Sequence, residues 1–288
     1  MANLKELRNR IQSVGSTMQI TSAMKMVSAA KLKKAQDAIQ QMRPYAEKLQ
    51  ELLSGLNASL DQSESVYGQQ RPLTKVLVIA LTSNRGLCGA FNANVIRQTR
   101  KIANAYVEQG VEVEIIAIGK KGNDILKKNF SVIANHSEIF ANIQFSSVAE
   151  VAQHAMDAFA AGEYDKVEVV YNHFKNAGSQ AVLTEVMLPI EPPTGEASNN
   201  ENLDYIFEPG KEEIVEELIP KSLKTQLFKA VLDSNASEHG ARMTAMHKAT
   251  DNAKELSRLL KLDYNKARQA AITNEILEIV GGAAALEG

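Results

Sequence analysis

One cysteine, Cys88, is present in the 288 residues, tryptophan is absent, and Phe and Tyr bring the aromatic content to only 5%. A single thiol excludes an internal disulfide and fits a reducing compartment. No run of about 18 apolar residues occurs, so no segment reads as a membrane-spanning helix. The first thirteen residues, MANLKELRNRIQS, lack the apolar core of a secretory signal, and Glu6 speaks against a transit peptide. The five histidines, His136, His154, His173, His239 and His247, are scattered with no triad or metal-ligand spacing. No catalytic residue, cofactor or metal is therefore expected.

What is abundant is Ala, Lys, Glu and Leu, a mixture suited to long helices. The net charge of −2 hides an uneven distribution. Residues 1–60 carry nine Lys and Arg against four Asp and Glu, and residues 221–288 carry ten against eight. Positive ends thus flank an acidic middle. Apolar residues recur at 3–4 spacing through Leu4, Leu7, Ile11, Val14 and Met18. The same register resumes at Leu32, Ala35, Ile39, Met42, Ala46, Leu49, Leu53, Leu56 and Leu60. Such a repeat predicts a coiled-coil seam. Between the two runs the seam falls on Thr21, Lys25 and Ser28, while Met24, Met26 and Val27 point elsewhere. Pro44 is expected to kink or loosen the helix. Leu4 to Leu60 as one helix would span roughly 85 Å, more than a compact domain of this size can enclose.

After Gly210 a second register, Met246, Ala249, Ala253, Leu256, Leu260, Ala267, Ala270 and Leu277, predicts a partner helix rich in close-packing alanine. Pro220 falls near a helix start or a kink. The two terminal helices are most simply paired antiparallel. Between them, KVLVIAL (75–81), residues 111–118, 166–174 and 180–190 read as strands. Residues 94–107, 120–128 and 147–161 read as helices, and 191–202 as a polar loop. The β-α-β alternation predicts a parallel sheet, with the last two strands forming an antiparallel hairpin at one edge. The fold class is thus α/β plus long helices: an antiparallel coiled coil carrying an inserted Rossmann-like α/β domain. The expected segments are 1–60, 74–207 and 210–288.

The loop Ser83-Asn84-Arg85-Gly86-Leu87-Cys88-Gly89 follows the first strand, where doubly wound folds bind phosphate. It matches neither a dinucleotide fingerprint nor a P-loop, and Gly119-Lys120-Lys121-Gly122 fails on the same grounds. Cys88 as a nucleophile has no partner histidine at a telling spacing. Glu212, Glu213, Glu216 and Glu217 suit a helix start, where negative charge meets the helix dipole. Residues 241–270 hold seven Lys and Arg against three acids, a modest excess for a nucleic-acid binder, and stacking aromatics are missing. Two alternatives stay open: a Rossmann-like nucleotide-binding enzyme, and a basic coiled coil that binds nucleic acid. Neither accounts for Met24, Met26 and Val27 beside charges, nor for the stripe Ile272, Ile276, Ile279 and Val280. Exposed apolar surface on a helix pair suggests a protein partner, and Met suits one that repacks.

Three motifs carry a resemblance over the whole length. Ile20-Thr21-Ser22-Ala23-Met24-Lys25-Met26-Val27, the loop 83–89, and Ile272-Thr273-Asn274-Glu275-Ile276-Leu277-Glu278 followed by Gly282-Ala283 stand in the order found in gamma subunits of bacterial F-type ATP synthases. Tyr264-Asn265-Lys266-Ala267-Arg268-Gln269-Ala270 precedes the last. The sequence resembles that family, and the resemblance implies a central rotor shaft with no active site of its own. Its implied partners are the alpha and beta subunits of a catalytic ring, the epsilon subunit and the c-ring of a proton channel. It implies a peripheral place on the cytoplasmic face of the bacterial membrane. By the same resemblance, Met24, Lys25, Arg242, Arg268, Gln269, Thr273 and Glu275 couple shaft to ring, and Tyr205 lies in the foot that meets epsilon or the c-ring.

Overall fold

A computed structural model describes residues 4–57, 66–190 and 211–287; Leu60, Tyr205 and the loop 191–202 lie outside the described residues. Helix α1 (Leu4–Asn57) and helix α5 (Lys211–Glu287) bracket a sheet with three shorter helices. Pro44 and Pro220 each forfeit one backbone hydrogen bond, yet neither ends its helix. The chain falls into two compact units, and the divisions lie inside the long helices rather than at their ends. One unit joins α1 up to Ser28 with α5 from Met243; the other runs from Ala29 to Arg242.

In the larger unit the strands are β1 (Lys75–Leu81), β2 (Glu112–Ile118), β3 (Ser131–Asn135), β4 (Lys166–Asn176) and β5 (Ser179–Leu188). The helices are α2 (Phe91–Glu108), α3 (Lys120–Leu126) and α4 (Phe145–Ala160). Strand order is β3-β2-β1-β4-β5. All pairings are parallel except β4 with β5, the expected edge hairpin. β3 is an addition to the expected strands.

β1 is buried on both faces, which is why it reads as an unbroken apolar run. Leu77, Ile79 and Leu81 pack towards α4 and the first part of α5, through Phe159, Leu223, Leu227 and Val231. Val76, Val78 and Ala80 pack towards Val95, Ile96 and Ala103 of α2 and Leu126 of α3. The early half of α5 is therefore a layer of the α/β core.

In the smaller unit, two hydrogen bonds set the direction of pairing. Arg8 donates to the Tyr264 hydroxyl (3.5 Å) and Thr250 to the Thr21 hydroxyl (2.8 Å), so α1 and α5 run antiparallel as predicted. Leu7, Thr21 and Ser28 are buried on α1, and Met246, Ala253 and Leu260 on α5. The seam on α5 differs from the expected one. Its 3–4 steps run Met246, Thr250, Ala253, Ser257, Leu260, Tyr264, Ala267, and Leu256 is left 47% exposed. Ala270 and Leu277 are exposed as well. Leu256 stands one residue off the contact face, and the smaller Ser257 occupies the seam position instead. Extending the hydrogen-bonded register places Leu4 opposite about position 268. Beyond it, no described residue of α1 remains to pair with α5.

Candidate functional surfaces

In the middle of the paired segment, apolar and polar residues are distributed the opposite way to an ordinary amphipathic helix. Thr21 and Ser28 sit in the seam because their hydroxyls are satisfied by their own helix, donating to Met18 O (3.1 Å) and Met24 O (2.7 Å). Met26 and Val27 stand outside it, 65% and 58% exposed, with Ile20 also exposed. Met24 and Lys25 are half-buried between these two sides. Further along α5, Arg268, Gln269, Thr273 and Glu275 are all exposed, interleaved with exposed Ile272, Ile276, Leu277, Ile279 and Val280. The Thr273 hydroxyl is turned back to Gln269 O (2.9 Å). These residues form two patches rather than one. In the pairing register Met24 lies opposite about position 247, which is roughly 33 Å of helix from Gln269.

Arg242, expected beside them as a surface contact, is placed differently. It is buried in the larger unit, where its guanidinium pairs with Glu238 one turn earlier and donates to the carbonyls of Arg85 (3.1 Å) and Gly86 (3.2 Å). The loop it holds is the motif after β1. There, Ser83 N–H donates to Asn92 Oδ1 (2.9 Å), and the Ser83 hydroxyl can donate to Arg85 O (2.6 Å). Asn84 bridges outward, donating to Ser137 O (2.7 Å) and accepting from Lys120 N–H (3.0 Å). Leu87 has a φ of 65° and is 66% exposed. A branched side chain in left-handed backbone costs of order 1–3 kcal/mol and persists where the surroundings enforce it.

This loop occupies the place where an α/β sheet ordinarily takes a ligand. The crossovers α2 and α3 lie on one face and α4 on the other, so the switch in winding falls between β1 and β4. There the Asn172 amide of β4 donates to Phe91 O (3.3 Å), Ser237 of α5 donates to Asn172 O (3.0 Å), and Arg242 closes over the loop. The crevice is filled by the chain itself. Cys88 is buried in the same packing and receives the Asn92 amide (3.2 Å). Burial pushes its thiol pKa up, away from the thiolate a nucleophile needs.

The titratable groups around Arg242 are set by burial. Burial raises the Glu238 carboxyl against the pull of Arg242, Lys31 and Arg85. Burial, then Arg242 and Lys31, lowers the neighbouring His239 to about 4, and its Nδ1 has no hydrogen-bond partner. A second pair, His173 Nδ1 with Asp233 Oδ2 (2.7 Å), borders a cavity of about 210 Å³ walled by Ile39, Met42, Ala46 and Leu232. Sequence reasoning missed Glu238, Asn92 and Asp233. Only Glu238 left a local signal, the four-residue spacing to Arg242 that puts opposite charges on one helix face.

A protein-family model described as ATP synthase matches residues 3–286. The ATP synthase gamma chain of Flavobacterium psychrophilum is 65% identical over 289 aligned residues, and that of Flavobacterium johnsoniae 64%, each alignment spanning 100% of both chains. Among solved structures, a chain of the Euglena gracilis mitochondrial ATP synthase (OSCP, F1 and c-ring) superposes with a TM-score of 0.72 at 25% identity. That match covers 98% of this chain and 94% of the other. A chain of the central stalk and c-ring of the Tetrahymena thermophila mitochondrial enzyme gives 0.57 at 28% identity, covering 80% and 99%. With the paired terminal helices, the inserted sheet and matches running end to end, the chain belongs to the ATP synthase gamma chain family.

Proposed function

We propose that the chain is the rotor shaft through which turning of a membrane c-ring drives the catalytic beta subunits of a proton-translocating ATP synthase. Catalysis resides in those subunits, and this chain carries torque and timing. The observation that carries the reading is the exposed apolar surface of the smaller unit, from Met26 and Val27 to the stretch of α5 that has outrun its partner. A shaft must meet several neighbours in turn without locking to one. An exposed ion pair is worth only about 0.2–1 kcal/mol, so Lys25, Arg268 and Glu275 can exchange partners during rotation. The seam instead buries apolar area at roughly 25 cal/mol per Å², so cohesion within the pair exceeds adhesion to any one stop.

In this reading Met24, Lys25, Arg268, Gln269, Thr273 and Glu275 touch the alpha and beta ring, and Arg242 serves the same coupling from inside. Tyr205 belongs to the foot facing epsilon and the c-ring, at the cytoplasmic face of the membrane. The test is reconstitution. Combined with alpha, beta and epsilon subunits and the membrane sector in vesicles, the chain should restore ATP-driven proton pumping that a mixture without it lacks. Failure to pump despite assembly would refute the proposal. Tight nucleotide binding by the chain alone would favour an enzyme, and steeply salt-dependent DNA binding the nucleic-acid reading.

A further inference from the structure

We infer that Arg242 is a positioning residue: with Glu238 it clamps the loop 83–89 so that the tip Arg85-Gly86-Leu87 is presented to the ring as one fixed contact. The inference rests on the rotor reading and says how one of its residues acts. Arg242 itself is buried and its donors are committed inside the chain, whereas the tip it holds is exposed at all three residues. One terminal nitrogen of the guanidinium, Nη2, donates to the carbonyls of two successive residues while the other, Nη1, is held by Glu238, a planar two-pronged link between carboxylate and loop that a single ammonium cannot span without moving. The loop is also fastened at its base, through Ser83 to Asn92 and Asn84 to Ser137 and Lys120, so the clamp governs the tip alone. The left-handed Leu87 is what a loop held from behind would tolerate. Such preorganisation matters for a contact made and broken on every turn, because a loop that had to order itself at each encounter would lose part of every stroke to its own entropy.

The sole cysteine of the chain reports on the clamp, since Cys88 is buried directly behind the tip and its hydroxyl and amide neighbours belong to the same loop packing. In the assembled complex, maleimide labelling of Cys88, read by mass spectrometry of this chain, should be slow. In Arg242→Gln it should rise by about tenfold or more, as the loop opens without its charge-assisted hydrogen bonds. Arg242→Lys should fall between the two. Glu238→Gln leaves the guanidinium in place without its orienting charge and should raise labelling by a smaller factor. Protons pumped per ATP hydrolysed should fall in Arg242→Gln and in Leu87→Ala, and the double variant should be no worse than the poorer single one. Labelling unchanged in both Arg242→Gln and Glu238→Gln overturns the clamp. So does a double variant whose losses multiply, since Arg242 would then act apart from the tip. If the parental chain fails to restore pumping, the rotor reading fails instead, and the labelling series still decides whether the loop is clamped.

Discussion

The same substitution at three leucines of α5 should have three different outcomes. Leu227 is fully buried between the sheet and α4, Leu260 lies in the two-helix seam, and Leu277 is 62% exposed beyond the paired segment. Leu227→Ala removes the equivalent of three methylenes, about 2.4 kcal/mol at ~0.8 each. A residual cavity of some tens of Å³ adds about 1 kcal/mol more at ~24 cal/mol per Å³, for a total of roughly 3–4. Leu260→Ala opens a site already bordered by water and should cost about 2 kcal/mol. Leu277→Ala should stay within about 0.5 kcal/mol. Because the chain has two compact units, a single melting curve would blur these costs, and amide hydrogen exchange followed segment by segment separates them. Leu227→Ala should lower protection across β1, β4 and the early part of α5 by about 10²–10³-fold. Leu260→Ala should act on the paired segments alone, and Leu277→Ala on neither. A cost under about 1 kcal/mol for Leu227→Ala would refute the placement of α5 as a core layer, as would a comparable loss for Leu277→Ala.

Two further outcomes test local features. A Cβ on Gly119, at φ 115°, would sit 2.0 Å from Thr82 O, whereas one on Gly86 would meet nothing within 4 Å. Gly119→Ala should therefore lower amide-exchange protection across β1 and β2 by about tenfold or more and Gly86→Ala should leave it unchanged; equal effects would contradict the close approach of the two loops. The His239 imidazole is held at about 4 by burial and by Arg242 and Lys31, against an ordinary value near 6.5. The unfolded chain then takes up a proton first as pH falls. Stability present above about pH 6.5 is lost on the way down to about pH 4, by at most about 3 kcal/mol and less where water reaches the ring. Urea unfolding of His239→Asn should lack this loss, so its stability should approach that of the parent as pH falls; parallel pH curves would show the histidine is not responsible.

Much of the fold is written in patterns that need no partner to interpret. KVLVIAL has the length and composition of a strand buried on both faces, and the 3–4 spacing from Leu4 falls on residues that are buried, Leu7 in the smaller unit and Leu32, Ala35 and Leu49 in the larger. β3 was invisible because SVIAN is a five-residue edge strand with every second residue exposed, hardly distinguishable from a loop. Leu256 misled for the opposite reason: in a narrow two-helix seam, position outranks hydrophobicity, and Ser257 takes the place. The outer face at Met26 and Val27 was legible because those residues break the register around them. Arg242 was legible as a residue of interest through resemblance alone. Its acceptors lie 157 and 156 positions away, and no local spacing encodes a contact across that distance.

Closing the crevice between β1 and β4 with Asn172, Ser237 and Arg242 has a cost in versatility. The end of an α/β sheet that elsewhere receives a diffusing metabolite is spent here on fastening a helix. Any small molecule meant to lodge in that gap would first have to prise α5 away from the sheet.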